Sequence, residues 1–242
     1  MTSVDHALPH TSTTTTAPST AGSHQRLTSA LREAIVSGEF VPNQRLVEAD
    51  LCSQFKASRA AVRSALFELA GEGLVERVQN RGSRVRAVTL QEAVEISEVR
   101  LLLESLCAAK AAERITPAEI EEFQELRTAI VTAVDHGNVA EYSRLNQELD
   151  RRVREISGQQ TAVEVLERLR AQSVRHQFRL AQQPGRARVS MQEHCDIIDA
   201  IVAHDGAAAE AAARRHMDSV VKALGAASGA AQADHSGGQT AP

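Results

Sequence analysis

Apolar residues along this chain fall into helical spacing, break once for a short alternating stretch, and then return to helical spacing to the end of the patterned region. Leu27, Leu31, Ile35 and Val36 mark one face of a helix that stops at Gly38, and Leu46, Ala49, Leu51, Cys52 and Phe55 mark a second short helix in "LVEADLCSQF". Ser58 is placed to cap a third, whose Val62, Leu66 and Leu69 form the inward stripe and which ends at Gly71 and Gly73. "LVERV" and "SRVRAV" then alternate apolar and polar residues around "QNRG", the pattern of a small β-hairpin. From Thr89 onward six helices are predicted, at about 89–113, 116–135, 138–157, 160–182, 188–204 and 206–226. Four of them open on a capping pair: Thr89 with Glu92, Thr116 with Glu119 around Pro117, Asn138 with Glu141, and Thr161 with Glu164. The expected fold is mainly α, an N-terminal winged helix-turn-helix with a small β-hairpin followed by an all-α six-helix bundle.

Composition narrows this picture. The 242 residues, 43% of them hydrophobic, suffice for one large or two small domains. Residues 1–24, rich in Thr, Ser, Pro and Ala, bury too little apolar surface to offset their ordering entropy and are expected to be disordered, as is the tail 227–242. The domains are therefore set at 25–88 and 89–226. No apolar run approaches the roughly 20 residues of a membrane span, and the N-terminus lacks a basic and apolar leader, so the expected location is the cytoplasm, with no membrane partner. Cys52, Cys107 and Cys195 are odd in number and far apart, and read as small buried hydrophobes in a reducing compartment.

The net charge of −4 argues against nucleic acid until it is divided: residues 25–88 carry +3 and residues 89–242 carry −6. A basic module is joined to an acidic one. On the third helix Arg59, Arg63 and Phe67 stand four apart on the side opposite Val62, Leu66 and Leu69. Guanidinium groups presented this way can bond guanine O6 and N7 or clamp phosphate, Ser58 can add a phosphate contact, and small Ala60 and Ala61 let the helix end approach the bases. Arg81 and Gly82 at the hairpin tip would lie over the adjacent minor groove or backbone. For an isolated arginine pair a solvated helix face is the ordinary explanation. Residues 26–86, however, resemble the DNA-binding domain of the GntR family of bacterial transcription regulators at Ile35, Gly38, Pro42, Leu46, Glu48, Leu51, Ser58, Arg59, Val62, Arg63, Leu69, Gly73, Arg81 and Gly82, among others. Asn43 replaces the family's usual Gly, Ala61 a frequent Pro and Ser64 a frequent Glu. The resemblance implies a dimer on a palindromic operator of double-stranded DNA.

In the second region Asn146 and Asp150 share a helix face, and His194 and His216, each eleven residues from the corner at Asp205, should stand level in an antiparallel helix pair. His204 beside the corner is expected at the surface, and His176 as a surface or packing residue. Arg100 lies among Ile96, Leu103 and Cys107 on an apolar face, a permanent cation needing an anion, which is either Glu104 one turn on or a carboxylate effector. Arg175 and Arg179 either assist or belong to a solvated face. "EVRLLLESLCAAKAA", "NQELDRRVREISG" and "EHCDIIDAIVAHDGAAAEAAARRHM" resemble the FCD effector domain of FadR-type regulators. The resemblance implies a divalent metal (Zn, Ni or Mn) that helps bind a small carboxylate, with Asn146, Asp150, His194 and His216 at the ligand positions. Asn146 stands where that family has Asp, and Asp150 where it has the first His. The alternative is a metal-free pocket in which these four residues bond the effector directly, and the plainest is a set of buried hydrogen-bond partners with no ligand. Together these readings describe a ligand-responsive repressor with no catalytic residues. A metal-dependent enzyme using Asp150 as base lacks a nameable catalytic constellation and leaves the basic module unexplained, while a constitutive DNA-binding protein would have a purely structural second domain.

Overall fold

The computed structural model describes residues 20–79 and 81–236, and side chains within 24–79, 81–177, 179–226. Of the tails expected to be disordered, 1–24 and 227–242, residues 1–19 and 237–242 lie outside the described residues, whereas 20–24 and 227–236 are helical. Helix α1 (Thr20–Ser37) opens the first domain, earlier than the boundary expected at 25, and is followed by β1 (Arg45–Leu46), α2 (Glu48–Gln54), α3 (Arg59–Gly71), β2 (Val75–Val78) and β3 (Gly82–Val85). The sheet has three antiparallel strands in the order β1-β3-β2, with Arg45 opposite Arg84 and Val75 opposite Val85. The hairpin was expected, but β1 was not. Leu46, whose spacing predicts the first turn of the second helix, is instead a buried strand residue, and the helix starts only at Glu48. Asn43, just ahead of β1, adopts φ +65°, which explains why a Gly is at home there: Asn is the side chain that tolerates this region best after Gly. Leu31, Leu51, Val62 and Leu69 fill the core beneath α3.

The second domain runs α4 (Leu90–Arg114), α5 (Pro117–Asp135), α6 (Val139–Ser157), α7 (Gln160–Ala181), α8 (Arg186–Val202) and α9 (Gly206–Ser236). Start signals read from the sequence operate as such at three of these: Thr89, Thr116 and Asn138 each accept the backbone N–H three residues on, and Thr116 with Glu119 forms a reciprocal box. Helix α9 continues to Ser236 through an alanine-rich run, ten residues past the end expected at 226, as the high helix propensity of Ala favours. The long α4 packs against α6, α7, α8 and α9, and Phe123, Ile130, Tyr142, Leu149, Ile198 and Ile201 make up the centre of the core. Helix α7 touches both this bundle and α1 of the first domain.

Candidate DNA interface and effector pocket

Ser58 begins α3 in extended conformation and its Oγ accepts the N–H of Ala61 at 3.2 Å, leaving its own proton free to donate. Buried Val62, Ala65, Leu66 and Leu69 fix the helix from behind, so Arg59, Ala60, Arg63 and Phe67 emerge on the exposed side, with Ala61 half-buried at the edge. The N-terminal turn of α3 adds unpaired N–H groups and positive dipole at the same place as Arg59, an arrangement suited to phosphate. Arg63 Nε donates to Glu48 Oε2 at 2.7 Å in an exposed pair, whose small net worth of about 0–1 kcal/mol makes it readily exchanged for a phosphate or base edge. In the sequence Glu48 is only one position of the family pattern; its tether on Arg63 depends on α2 crossing α3 and is invisible in sequence spacing. Arg81 and Gly82 are exposed at the turn of the wing, with Gly82 at φ +83°.

In the bundle, α6 projects Asn146, Asp150 and Arg154 at four-residue intervals, and α8 and α9 bring His194 and His216 to a ring separation of 4.4 Å. A cavity with about 420 Å³ of empty space, its open mouth included, lies beside them. Its polar wall is Glu104, Asp150, Arg154, Arg170 and His216, and Leu149 and Ile197 contribute to its apolar side. Arg170, on α7, connects two carboxylates: Nη2 donates to Asp150 Oδ2 and Nη1 to Glu104 Oε1 at 3.3 Å. Glu104 Oε1 also accepts Nε and Nη2 of Arg100 at 3.0 and 2.8 Å. Arg100 is therefore paired with Glu104, the first of the two anions considered for it, and is absent from the cavity wall; the guanidiniums that reach the cavity are Arg154 and Arg170.

The cavity wall itself sets two guanidiniums, Arg154 and Arg170, against two carboxylates, Glu104 and Asp150, with Arg100 behind Glu104 and Glu167 near Arg154. Burial opposes ionisation of Asp150, but Arg170, His194 and Arg154 outweigh it and hold the carboxyl below its usual range. Burial, and next the neighbouring Arg170, push Arg154 down. Burial and then His216 drive His194 down to about 3, so its imidazole is neutral. Several polar atoms stand ready without partners. Among the described residues the buried side-chain atoms lacking a hydrogen bond are Arg100 Nη1, Tyr142 OH, Asn146 Oδ1, Arg154 Nη1 and His194 Nδ1. Asn146 and Ser190 are close enough to Tyr142 to favour ionisation of its phenol against burial, yet neither bonds it with proper geometry.

The four residues expected to ligate a metal do not fit one in this arrangement. Asp150 is committed to Arg170, and a dication there would confront the fixed charges of Arg170 and Arg154. His216 Nδ1 donates to Glu193 Oε2 at 2.8 Å, and Arg186 pairs with the same oxygen at 3.2 Å. No grouping of three or more His, Cys, Asp or Glu side chains suited to a metal ion exists among the described residues. Sequence spacing correctly placed Asn146 and Asp150 on one face but could not show Arg170 arriving from another helix. A signal was present: Arg170 falls on the stripe of Ala162, Leu166 and Ser173, all buried, just as Arg100 falls on its own apolar stripe. Of the remaining candidates, His204 is exposed and bonds Ala112 O at 3.1 Å, whereas His176 and Arg175 bridge the domains and Arg179 is exposed.

Among the described residues no helix is long and apolar enough to cross a membrane. The family model described as "FCD domain" matches residues 95–219, and that described as "Bacterial regulatory proteins, gntR family" matches residues 24–85. The Escherichia coli galactonate operon transcriptional repressor is 30% identical, over 78% of this chain and 90% of its own. The HTH-type transcriptional repressor RspR of the same species is 24% identical over 83% of this chain and 88% of its own. The solved structure of E. coli McbR/YncC shares the fold, with a TM-score of 0.71 at 22% identity, covering 84% of this chain and 96% of that one. Because the FCD match alone spans more than half of the chain and the galactonate repressor aligns along most of both proteins, the chain belongs to the GntR family of bacterial transcription regulators carrying an FCD domain, and its work is regulation through DNA rather than catalysis.

Proposed function

We infer that this regulator is a cytoplasmic repressor that binds a palindromic operator as a homodimer and releases it when a small carboxylate enters the cavity of the bundle without a metal ion. The observation that carries the effector reading is the unpartnered Nη1 of Arg154, a buried cationic donor on the cavity wall. Leaving a buried donor unpaired costs about 1–3 kcal/mol, a cost that an anion would cancel by accepting from it. Arg170 and His216, which share the wall with Arg154, would complete recognition, while Arg100 would act indirectly by holding Glu104 in place for Arg170, and Asn146 and His194 stand behind the wall. This departs from the metal expected by resemblance, and Arg154 and Arg170 take its place as the source of positive charge.

For DNA, Arg59, Arg63 and the α3 N-terminus at Ser58 would enter the major groove, Ala60 and Ala61 would permit close approach, and Arg81 and Gly82 would follow the neighbouring backbone or minor groove. A second copy of the chain is favoured by Val99, Leu102 and Leu106, which form an exposed apolar stripe on α4, 40% to 58% exposed. Two recognition helices related by a two-fold axis match a two-fold operator. The test is a thermal-shift and calorimetric screen of small carboxylates with and without EDTA. Binding that survives EDTA is expected; binding that requires an added divalent ion, or no binding across the panel, would overturn the metal-free carboxylate reading.

A further inference from the structure

Helix α7 faces the cavity with one side and the winged helix with the other. At about 100° per residue, Gln172, Arg175 and His176 lie roughly 200°, 140° and 240° around the helix from Arg170. While Arg170 reaches Asp150 and Glu104, these three reach away from the cavity to main-chain carbonyls of the first domain and the interdomain link. Gln172 Nε2 donates to Glu72 O at 2.6 Å, Arg175 Nη2 to Ile35 O at 3.0 Å and also to Phe40 O, and His176 Nε2 to Val88 O at 2.9 Å. Glu72 is the C-cap of α3, Ile35 lies in the last turn of α1, and Val88 precedes α4. Helix ends leave carbonyls without intrahelical partners and concentrate partial negative charge, so the amide of Gln172 and the cation of Arg175 are complementary to what they meet. Ala171 packs into the winged-helix core itself. Gly73, at φ +75°, comes so close that a Cβ there would stand 2.5 Å from Gln172 Nε2.

We propose that α7 is the coupling element between the cavity and the recognition helix: release of the Arg170 guanidinium from Asp150 and Glu104 shifts α7, and Gln172 and Arg175 carry that shift to the ends of α3 and α1. An anion in the cavity supplies the competitor for Arg170, and for this trigger the proposal rests on the effector reading above. Its mechanics do not. Arg170 joins two carboxylates from α4 and α6, so a bound anion competes with the ties that fix α7 to both. The opposite face is tied to backbone, which has no rotamers with which to absorb a displacement.

A double-mutant cycle tests the coupling without knowledge of the effector. The probe is duplex DNA enriched from a random-sequence library by the wild-type protein. Arg170→Lys keeps the charge but loses the fork that spans Asp150 and Glu104, and its expected effect is about fivefold or more weaker DNA binding. In a Gln172→Ala, Arg175→Ala background the same change is expected to shrink below about twofold. An equal factor in both backgrounds, or no effect of Arg170→Lys in either, overturns the proposal. Should Arg170→Lys fail to fold by circular dichroism, Asp150→Asn removes one of the two ties and runs the same cycle. Hydrogen exchange provides a readout without DNA: faster exchange of amides 36–40 and 72–74 in the Arg170 or Asp150 variant is expected, and faster exchange confined to the bundle overturns the proposal. Failure of every carboxylate to bind would remove the proposed trigger but leave a non-additive cycle standing. Carboxylate binding with an additive cycle would remove the coupling alone.

Discussion

Arg63 and Arg170 carry the same charge under opposite conditions. Arg63 extends from α3 with its side chain 68% exposed and one easily exchanged partner, Glu48, whereas Arg170 sits between Asp150 and Glu104 with its side chain 16% exposed. The contrast extends to their domains. In the winged helix the arginines of α3 and the wing lie at the surface or in surface pairs, as suits a partner whose phosphates arrive from outside, and among the described residues only the pair of Arg32 with Glu72, of those the domain makes within itself, is partly buried. The bundle has surface pairs too, such as Arg144 with Glu141, but it also draws Arg100, Glu104, Asp150 and Arg170 inward, and every buried polar atom without a partner among the described residues belongs to that domain. An exposed cation is inexpensive to keep and contributes only when DNA arrives; a buried network fixes the structure around it and is costly to disturb.

The sharpest way to break this comparison is to remove each arginine in turn. Arg170→Met strips Asp150 of its ion-pair partner while Glu104 keeps Arg100, and should cost about 3–5 kcal/mol of stability in urea denaturation, because the Asp150 carboxylate is left buried without a hydrogen-bonded cation. A loss below about 1 kcal/mol would show the network to be as superficial as the pair at Arg63. The pH dependence of stability should separate the domains next. With its folded pKa lowered to about 3 by burial first and then by His216, His194 binds a proton more readily in the unfolded chain. Its contribution is therefore fully present above about pH 6.5 and is lost as pH falls toward 3. Between pH 6.5 and 4.5 the loss should be on the order of 2 kcal/mol, and His194→Gln should flatten that part of the profile; an unchanged slope in the variant would contradict the assignment.

Arg59→Ala and Arg63→Ala should each weaken operator binding by about 1–3 kcal/mol in gel-shift titration, while changing stability by less than about 1 kcal/mol. Unaltered affinity in both would remove α3 from the DNA interface. The smallest effects distinguish two caps of the same geometry. Ser58→Ala and Thr116→Ala should each cost about 1 kcal/mol of stability, but Ser58→Ala alone should also weaken DNA binding, since Thr116 caps a helix in the other domain. Equal affinities for the two variants would deny Ser58 a phosphate contact.

The winged helix was largely legible because its information is local. Ser58, the stripe Val62–Leu66–Leu69 and the glycines at turns are each read within a few residues. What escaped, β1, is only two residues long and exists by pairing with β3 across a separation that periodicity does not register. The bundle was legible in its helices for the same local reason, and the face shared by Asn146 and Asp150 follows from helical spacing. Its chemistry was not. Arg170 lies twenty residues beyond Asp150 and reaches it only because α6 and α7 are brought together beside α4, so an expected ligand set became an ion-paired one. The same holds for Gln172 and Glu72, one hundred residues apart in sequence.

On the metal-free reading proposed above, Arg154 and Arg170 also bear on how the regulator depends on its cell. Charge supplied by a bound ion varies with uptake, storage and the trace elements of the growth medium, whereas charge carried on α6 and α7 is made with the polypeptide and cannot be starved or chelated away. A regulator built this way would keep its response through metal limitation, and its set point would be heritable, adjustable by a change at a single codon in α6 or α7.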